Sequence, residues 1–260
     1  MNTAAAILES IETELLGRRG VSFKIAAKRN QWVQEHQDAV CWRCAGSVGP
    51  HETDGDGCAS CRAIKLPWTR AFRLGKHEGI LRDAVLDLKF RRWRQTGLQV
   101  GEALGKFIGE RITELGLQTG EVRIVPIPIT HRRRIRRGVD HTLVLSRGVF
   151  KGSGIRTSRL LRARKRLEQI GLSATARTKN MRGGFFVPDR VQKRLRKGSM
   201  NGIRVFILMD DVRTTGATLE EGCRVINRVL STLGGNNEVE IWIASVGVAG
   251  ERRKEDSTDG

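Results

Sequence analysis

One segment, residues 205–218, constrains the fold more than any other part of the chain. It reads Val-Phe-Ile-Leu-Met-Asp-Asp-Val-Arg-Thr-Thr-Gly-Ala-Thr, so that five apolar residues typical of a buried strand precede two acids and a short bend. Residues 217–233 then have the apolar spacing of a helix, and residues 239–246 form a second apolar strand. A strand, a helix and a strand in this order predict an α/β fold with a parallel sheet.

The acids of this segment, Asp210 and Asp211, are expected at the carboxyl edge of the sheet, where α/β folds bind ligands. Their carboxylates can accept hydrogen bonds from vicinal hydroxyls. The following bend offers hydroxyls, backbone N–H groups and the positive end of a helix dipole to a phosphate, from Thr214, Thr215, Gly216, Ala217 and Thr218. A ribose 5-phosphate carries both groups at this spacing. The alternative is an ordinary turn that leads into a capped helix.

Four of the five cysteines form two Cys-x-x-Cys pairs, Cys41 with Cys44 and Cys58 with Cys61. In a reducing cytosol such pairs are more often metal ligands than disulfides. Two pairs at this separation fit a tetrahedral Zn²⁺ with four thiolate ligands, which leaves no position open for substrate. A structural zinc site is therefore predicted, with a redox or disulfide pair as the alternative.

The chain is strongly basic, with 47 Lys and Arg against 28 Asp and Glu and a formal net charge of +19. This excess favours a polyanionic partner, and a nucleic acid, a phosphorylated small molecule and an anionic membrane surface satisfy it equally. Much of the charge lies in residues 132–137, which follow a predicted strand at 122–127 and are expected to form a loop. His131 and His141 are candidate general bases by residue type alone, and each is more simply a bystander.

The remaining pattern predicts helices over residues 80–88 and 100–115, and it divides the chain into four parts. Residues 1–36 are predicted to form an amphipathic helix, with Ile7, Ile11 and Leu15 on one face, and a connector. Residues 37–68 form the four-cysteine module, 69–250 the main domain and 251–260 a flexible tail. The absence of a secretion signal and of a transmembrane segment predicts a cytoplasmic protein.

Two resemblances follow from these motifs. Residues 205–218 resemble the phosphoribosyl diphosphate (PRPP) motif of type I phosphoribosyltransferases. The order of motifs along the chain is similar to ComF-type proteins, and it consists of the two cysteine pairs, Leu88-Lys89-Phe90, Val125-Pro126-Ile127-Pro128, the arginines from 132, Arg137-Gly138, Gln169, Leu172-Ser173, Asn180-Met-Arg-Gly183 and the acid pair. The chain departs from that family at Val139, Asp140 and His141, where Phe-Asn-Gln is usual.

The resemblance implies a zinc ribbon followed by a type I phosphoribosyltransferase-like domain, and an association with DNA uptake in natural transformation. It implies that Asp210 and Asp211 hold the ribose hydroxyls of PRPP as the catalytic pair, with Mg²⁺, and that residues 214–218 bind the 5-phosphate. The pyrophosphate would lie near Pro126 and Ile127 and receive positive charge from Lys89 or Arg132. The alternative for these basic residues is a solvated surface run or a contact with DNA phosphates. The acceptor is not implied.

Two functions are therefore open at this point. The first is a phosphoribosyltransferase that acts on PRPP. The second is a non-catalytic, nucleic-acid-binding competence factor that uses the PRPP pocket for regulation or assembly. Single-stranded DNA and proteins of the competence machinery are the expected macromolecular partners.

Overall fold

A parallel sheet of four strands forms the centre of the computed structural model, which describes residues 22–164, 182–198, 202–232 and 239–249, with the backbone alone for 131–133. The predictions for Ile7, Ile11 and Leu15, for Gln169, Leu172, Ser173 and Asn180, and for the tail lie outside these ranges.

The sheet has the strand order β3-β8-β7-β4, and neighbouring strands are parallel throughout. Its strands are β3 (Arg70–Lys76), β4 (Val122–Pro126), β7 (Val205–Arg213) and β8 (Glu240–Val248). Two short antiparallel pairs lie outside it: β1 (Thr53–Asp54) with β2 (Gly57–Cys58), and β5 (Arg162–Ala163) with β6 (Phe185–Phe186). The predicted α/β class is confirmed.

Eight helices of the described residues surround or connect these strands. They are α1 (Phe23–Arg29), α2 (Ala59–Arg62), α3 (Gly79–Leu86), α4 (Arg94–Glu114), α5 (His131–Arg137), α6 (His141–Ser153), α7 (Asp189–Arg196) and α8 (Ala217–Ser231). Short 3₁₀ turns cover Gln37–Ala39 and Thr119–Glu121, and a π-helical turn, Asp87–Arg91, extends α3. None of these helices is both long and apolar enough to cross a membrane.

The side chains of the sheet build a separate core on each face. In β7, Val205, Ile207 and Met209 belong to the core that α3, α4 and α6 cover, whereas Phe206 and Leu208 belong to the core that α8 covers. This alternation is the period of two that a strand imposes. A strand that is buried on both faces reads as a continuous apolar run, which is the signal that predicted β7.

Helices α4 and α6 pack unusually closely through glycines. A Cβ atom built at Gly101 would lie 2.3 Å from the carbonyl oxygen of Leu145, and one built at Gly148 would lie 2.3 Å from that of Leu98. Gly105 and Gly152 make equally close approaches to the opposite helix. The two backbones are therefore in direct contact where a side chain would normally separate them.

The structure corrects the interpretation of the basic segment 132–137. These residues were expected in a loop, but the backbone forms helix α5. No proline lies in residues 131–137, and arginine is a good helix former. The intrinsic helix propensity of these residues therefore favours a helix, although their high charge had suggested a loop.

Candidate functional site

The acid pair lies within strand β7, at the carboxyl edge of the sheet. The pairing of β7 with β8 continues past the acids to Arg213, which is opposite Val248, so that both carboxylates are attached to hydrogen-bonded backbone. Strand β4 ends beside them, because Pro126 is opposite Met209 and the amide of Ile127 donates to the carbonyl of Met209 at 2.9 Å. The predicted pyrophosphate turn and the acid pair therefore meet at one edge.

Asp211 is buried among basic side chains. Its side chain is 6% exposed, its Oδ1 lies 2.7 Å from Nζ of Lys89, and its Oδ2 lies 2.8 Å from Nε2 of His141. The second contact is short but poorly directed for a hydrogen bond. The sequence named Lys89 and His141 as separate candidates, and the structure brings both to the same carboxylate.

His141 is the first residue of helix α6, and the start of this helix places its side chain beside Asp211. Asp140 caps the helix by accepting from the amide of Leu143 at 3.2 Å, and the hydroxyl of Thr142 donates to the carbonyl of Ile127 at 2.8 Å. These bonds attach the first turn of α6 to the turn after β4. Of the residues at which the chain departs from the ComF pattern, His141 contacts the acid pair and Asp140 caps the helix that carries it.

The two carboxyl groups titrate differently. Burial and the neighbouring charge of Asp211 raise the pKa of Asp210 to about 6. Burial also opposes ionisation of Asp211, but the contacts with His141 and Lys89 outweigh it and hold the pKa of Asp211 far below its usual range. Above pH 6 both acids are ionised, and as the pH falls through about 6 only Asp210 takes up a proton.

A further histidine, which the sequence analysis did not single out, faces the same cluster. His77 follows β3, and its backbone amide donates to the carbonyl of Val248 at 2.9 Å. Burial and the charge of Lys89 lower the pKa of His77. Only the tertiary structure places it here, because no motif surrounds it in the sequence.

The bend after β7 leaves the start of α8 without a side-chain cap. Gly216 occupies the N-cap position with a φ of +79°, which favours glycine. The amide of Ala217 makes only a long contact, 3.4 Å, with the hydroxyl of Thr215. Thr214 and Thr215 are exposed, and Thr218 is half-buried. The first turn of the helix thus presents N–H groups that can donate hydrogen bonds to an anion.

The four cysteines come together in one cluster, although they belong to segments 13 residues apart. The Sγ distances are 3.8 Å for Cys41 to Cys61, 3.8 Å for Cys44 to Cys58 and 3.7 Å for Cys58 to Cys61. Four sulfurs that each lie about 2.3 Å from one tetrahedral ion are about 3.8 Å apart. Since no cysteine is in a disulfide, the cluster can hold one metal ion.

The four-cysteine module covers the edge of the sheet. The amide of Ala71 in β3 donates to the carbonyl of Trp42 at 2.9 Å, and the indole of Trp68 donates to the carbonyl of Arg43 at 2.9 Å. The fully buried side chain of Arg73 donates to the carbonyl of Ala45 at 2.9 Å. These bonds satisfy groups of an edge strand that would otherwise be unpaired.

The chain is thus an α/β protein with an acid pair and an uncapped helix at the carboxyl edge of its parallel sheet, joined to a four-cysteine module that could hold a metal ion. No family model matches the chain. It is 27% identical over 187 residues to the DNA utilization protein YhgH of Salmonella typhimurium and 26% identical over 187 residues to that of Escherichia coli K12, with 71% of this chain and 75% of each relative covered. It is also 28% identical over 189 residues to Competence protein F of Haemophilus influenzae, with 71% of this chain and 76% of the relative covered. The resemblance to ComF-type proteins is confirmed.

Proposed function

We propose that the chain binds PRPP, or a related ribose 5-phosphate, and acts as a Mg²⁺-dependent phosphoribosyltransferase in the use of external DNA. One observation carries the ligand assignment: the half-buried carboxylate of Asp210 stands at a sheet edge, six residues before Gly216, the N-cap of a helix without a side-chain cap. The names of the relatives, which refer to DNA utilization and competence, support the biological setting.

In this proposal different residues at the sheet edge bind different parts of the ligand. A carboxylate at the acid pair accepts hydrogen bonds from the ribose hydroxyls, and the amides and hydroxyls of residues 214–218 hold the 5-phosphate. Pyrophosphate leaves C1 of the ribose near the turn at Pro126 and Ile127, and an acceptor nucleophile takes its place. The chain's own residues orient the sugar and shield the developing positive charge from water.

Whether Mg²⁺ fits at this edge of the sheet depends on which carboxylate oxygens of the acid pair lack a basic partner. Asp210, Asp211 and His141 form a group that can hold an ion, but Lys89 lies 2.7 Å from one oxygen of Asp211 and imidazole is a poor ligand for Mg²⁺. Asp210 is thus the suitable protein ligand, and the substrate supplies most others. The ion, when bound, neutralises charge on the leaving pyrophosphate.

We further propose that the cysteine cluster binds Zn²⁺ in a structural role, because all four positions of a tetrahedral ion are filled by Cys41, Cys44, Cys58 and Cys61. Thiols that bind zinc are kept reduced, which supports a cytoplasmic location.

Binding of PRPP tests the ligand assignment. We expect Asp210→Asn to weaken the affinity for PRPP in the presence of Mg²⁺ at least tenfold, because a charge-assisted hydrogen bond is lost. Isothermal titration calorimetry measures the affinity, and release of pyrophosphate in the presence of candidate acceptors measures turnover. Asp38→Asn is the control, since that side chain is 89% exposed and lies outside the site. Equal affinity in the wild type and Asp210→Asn would refute the assignment.

A second function, binding of single-stranded DNA, is favoured by the surface of α7. Exposed basic residues lie on it at the spacing i, i+3, i+4 and i+7, which is one face of a helix: Arg190, Lys193, Arg194 and Lys197. We expect the affinity for a fluorescent oligonucleotide to fall with rising salt, and the slope to decrease by about 1.4 in Arg190→Gln/Lys193→Gln, since each phosphate contact on a single strand contributes about 0.7.

The matched control for this experiment is Lys28→Gln/Arg29→Gln, which removes the same charge from exposed positions at the end of α1. An unchanged slope in the α7 variant, or an equal change in both variants, would show that α7 is not the contact.

A further inference from the structure

The two adjacent acids, which the resemblance treats as a pair with one role, have different surroundings. Asp211 contacts a lysine through one carboxylate oxygen and a histidine through the other, and its side chain is 6% exposed. A ligand hydroxyl would have to displace Lys89 or His141 to reach it. Because removal of one partner leaves a buried charge unpaired, such a displacement is unfavourable.

Asp210 is the more accessible of the two. It is half-buried, and within the described ranges it has no ion pair. Its Oδ1 accepts from the backbone amide of Asp211 at 2.9 Å, which leaves Oδ2 as the oxygen for an incoming hydroxyl. The orientation of this carboxylate therefore depends on where the backbone of residue 211 is held.

His141 is itself held in place from behind. Nη1 of Arg137 lies 3.3 Å from Nδ1 of His141 and 3.5 Å from its Nε2. A guanidinium can only donate hydrogen bonds, and this one lies at nearly equal distances from the two ring nitrogens. The contact with Arg137 limits movement of the imidazole, whose Nε2 lies 2.8 Å from Oδ2 of Asp211.

From these contacts we infer that Asp210 alone of the two acids contacts the hydroxyls of the ligand, and that Asp211 is a positioning residue anchored by Lys89 and His141. The inference rests on the proposed function for its ligand. Lys89 is then the partner of Asp211 and not a group that binds pyrophosphate. The anchor fixes the amide of residue 211, and this amide orients the carboxylate of Asp210.

The anchor is tested by stability, without any ligand. We expect Asp211→Asn to lower the melting temperature by about 6–12 °C, because it breaks a buried ion pair in a chain of this size. Asp210→Asn should leave the melting temperature unchanged or raise it, because it removes a half-buried negative charge next to that of Asp211. In a double-mutant cycle with Lys89→Met, the two losses should be clearly less than additive. A melting temperature of Asp211→Asn equal to that of the wild type, or strict additivity with Lys89→Met, would overturn the anchor.

The division of roles is tested with ribose 5-phosphate and its 2-deoxy and 3-deoxy forms as probes. We expect Asp210→Asn to lose the preference of the wild type for the full diol over at least one deoxy form. Asp211→Asn and His141→Gln should bind more weakly but keep that preference. His141→Leu should bind more weakly than His141→Gln, since the glutamine amide can make a polar contact with Asp211 and leucine cannot.

Loss of the preference in Asp211→Asn to the same extent as in Asp210→Asn would overturn the division of roles. If the wild type binds none of the probes, the proposed function fails and the role of Asp210 fails with it. The melting temperatures of Asp211→Asn and the Lys89 cycle still decide the anchor in that case, so the two failures can be told apart.

Discussion

Replacement of Cys41 by serine is expected to release the bound metal and to lower the melting temperature of the protein by more than 10 °C. Cys41 is completely buried, and its sulfur is 3.8 Å from that of Cys61. Few apolar side chains of the module itself are buried, Ala45 and Trp68 among them. In small domains of this kind metal binding supplies about 10–16 kcal/mol of apparent folding free energy. The module also satisfies the edge of β3, so its loss exposes strand groups of the main domain.

Elemental analysis of the purified protein, together with thermal unfolding, measures this effect. The wild type should contain one zinc ion per chain, and the serine variant should contain none. Cys223→Ala is the matched control, because Cys223 belongs to α8, is buried in the core and is far along the chain from the cluster. It should retain the full metal content. A metal-free wild type, or a Cys41→Ser protein that keeps its zinc, would contradict the structural-zinc proposal.

Substitution of Gly101 by alanine is expected to destabilise the protein by about 3 kcal/mol, or about 6–12 °C in melting temperature. The new Cβ would lie 2.3 Å from the carbonyl oxygen of Leu145 and 3.0 Å from the Cα of Gly148. Since both neighbours are backbone atoms, no side chain can rotate away, and α4 must move off α6. The better helix propensity of alanine offsets only about 1 kcal/mol of this cost.

Gly109→Ala is the control in the same helix. A Cβ at Gly109 would meet the Cβ of Ser153 at 3.3 Å, which small shifts can relieve. This variant gains the helix propensity of alanine without the backbone collision, so we expect a stability equal to that of the wild type or up to about 1 kcal/mol higher. Chemical denaturation of the two variants side by side measures the difference. Equal stabilities of Gly101→Ala and Gly109→Ala would show that the close contact of α4 with α6 does not contribute to the stability of the protein.

The glycines between α4 and α6 form a sequence pattern from which the close contact of these helices could have been predicted. Gly97, Gly101, Gly105 and Gly109 recur every fourth residue in α4, and Gly148 and Gly152 repeat the spacing in α6. The spacing of apolar residues predicted α4 but not α6.

Strand β3 was also missed, because Arg70 and Arg73 interrupt its apolar residues. The edge position and the bonds of Arg73 to the cysteine module explain why arginines are tolerated in this strand.

Three features could be predicted from the amino-acid sequence: the parallel sheet around β7 and β8, the grouping of the four cysteines, and the acids and bend at the end of β7. These features are local or depend on regular spacing, and burial on both faces of a strand leaves a continuous apolar run that can be read directly. Only the folded structure shows that Lys89 and His141 contact Asp211, and that His77 lies near enough to Lys89 for its pKa to be lowered. These residues come from three separate parts of the chain, and the packing of α3, α6 and β3 around one sheet edge brings them together.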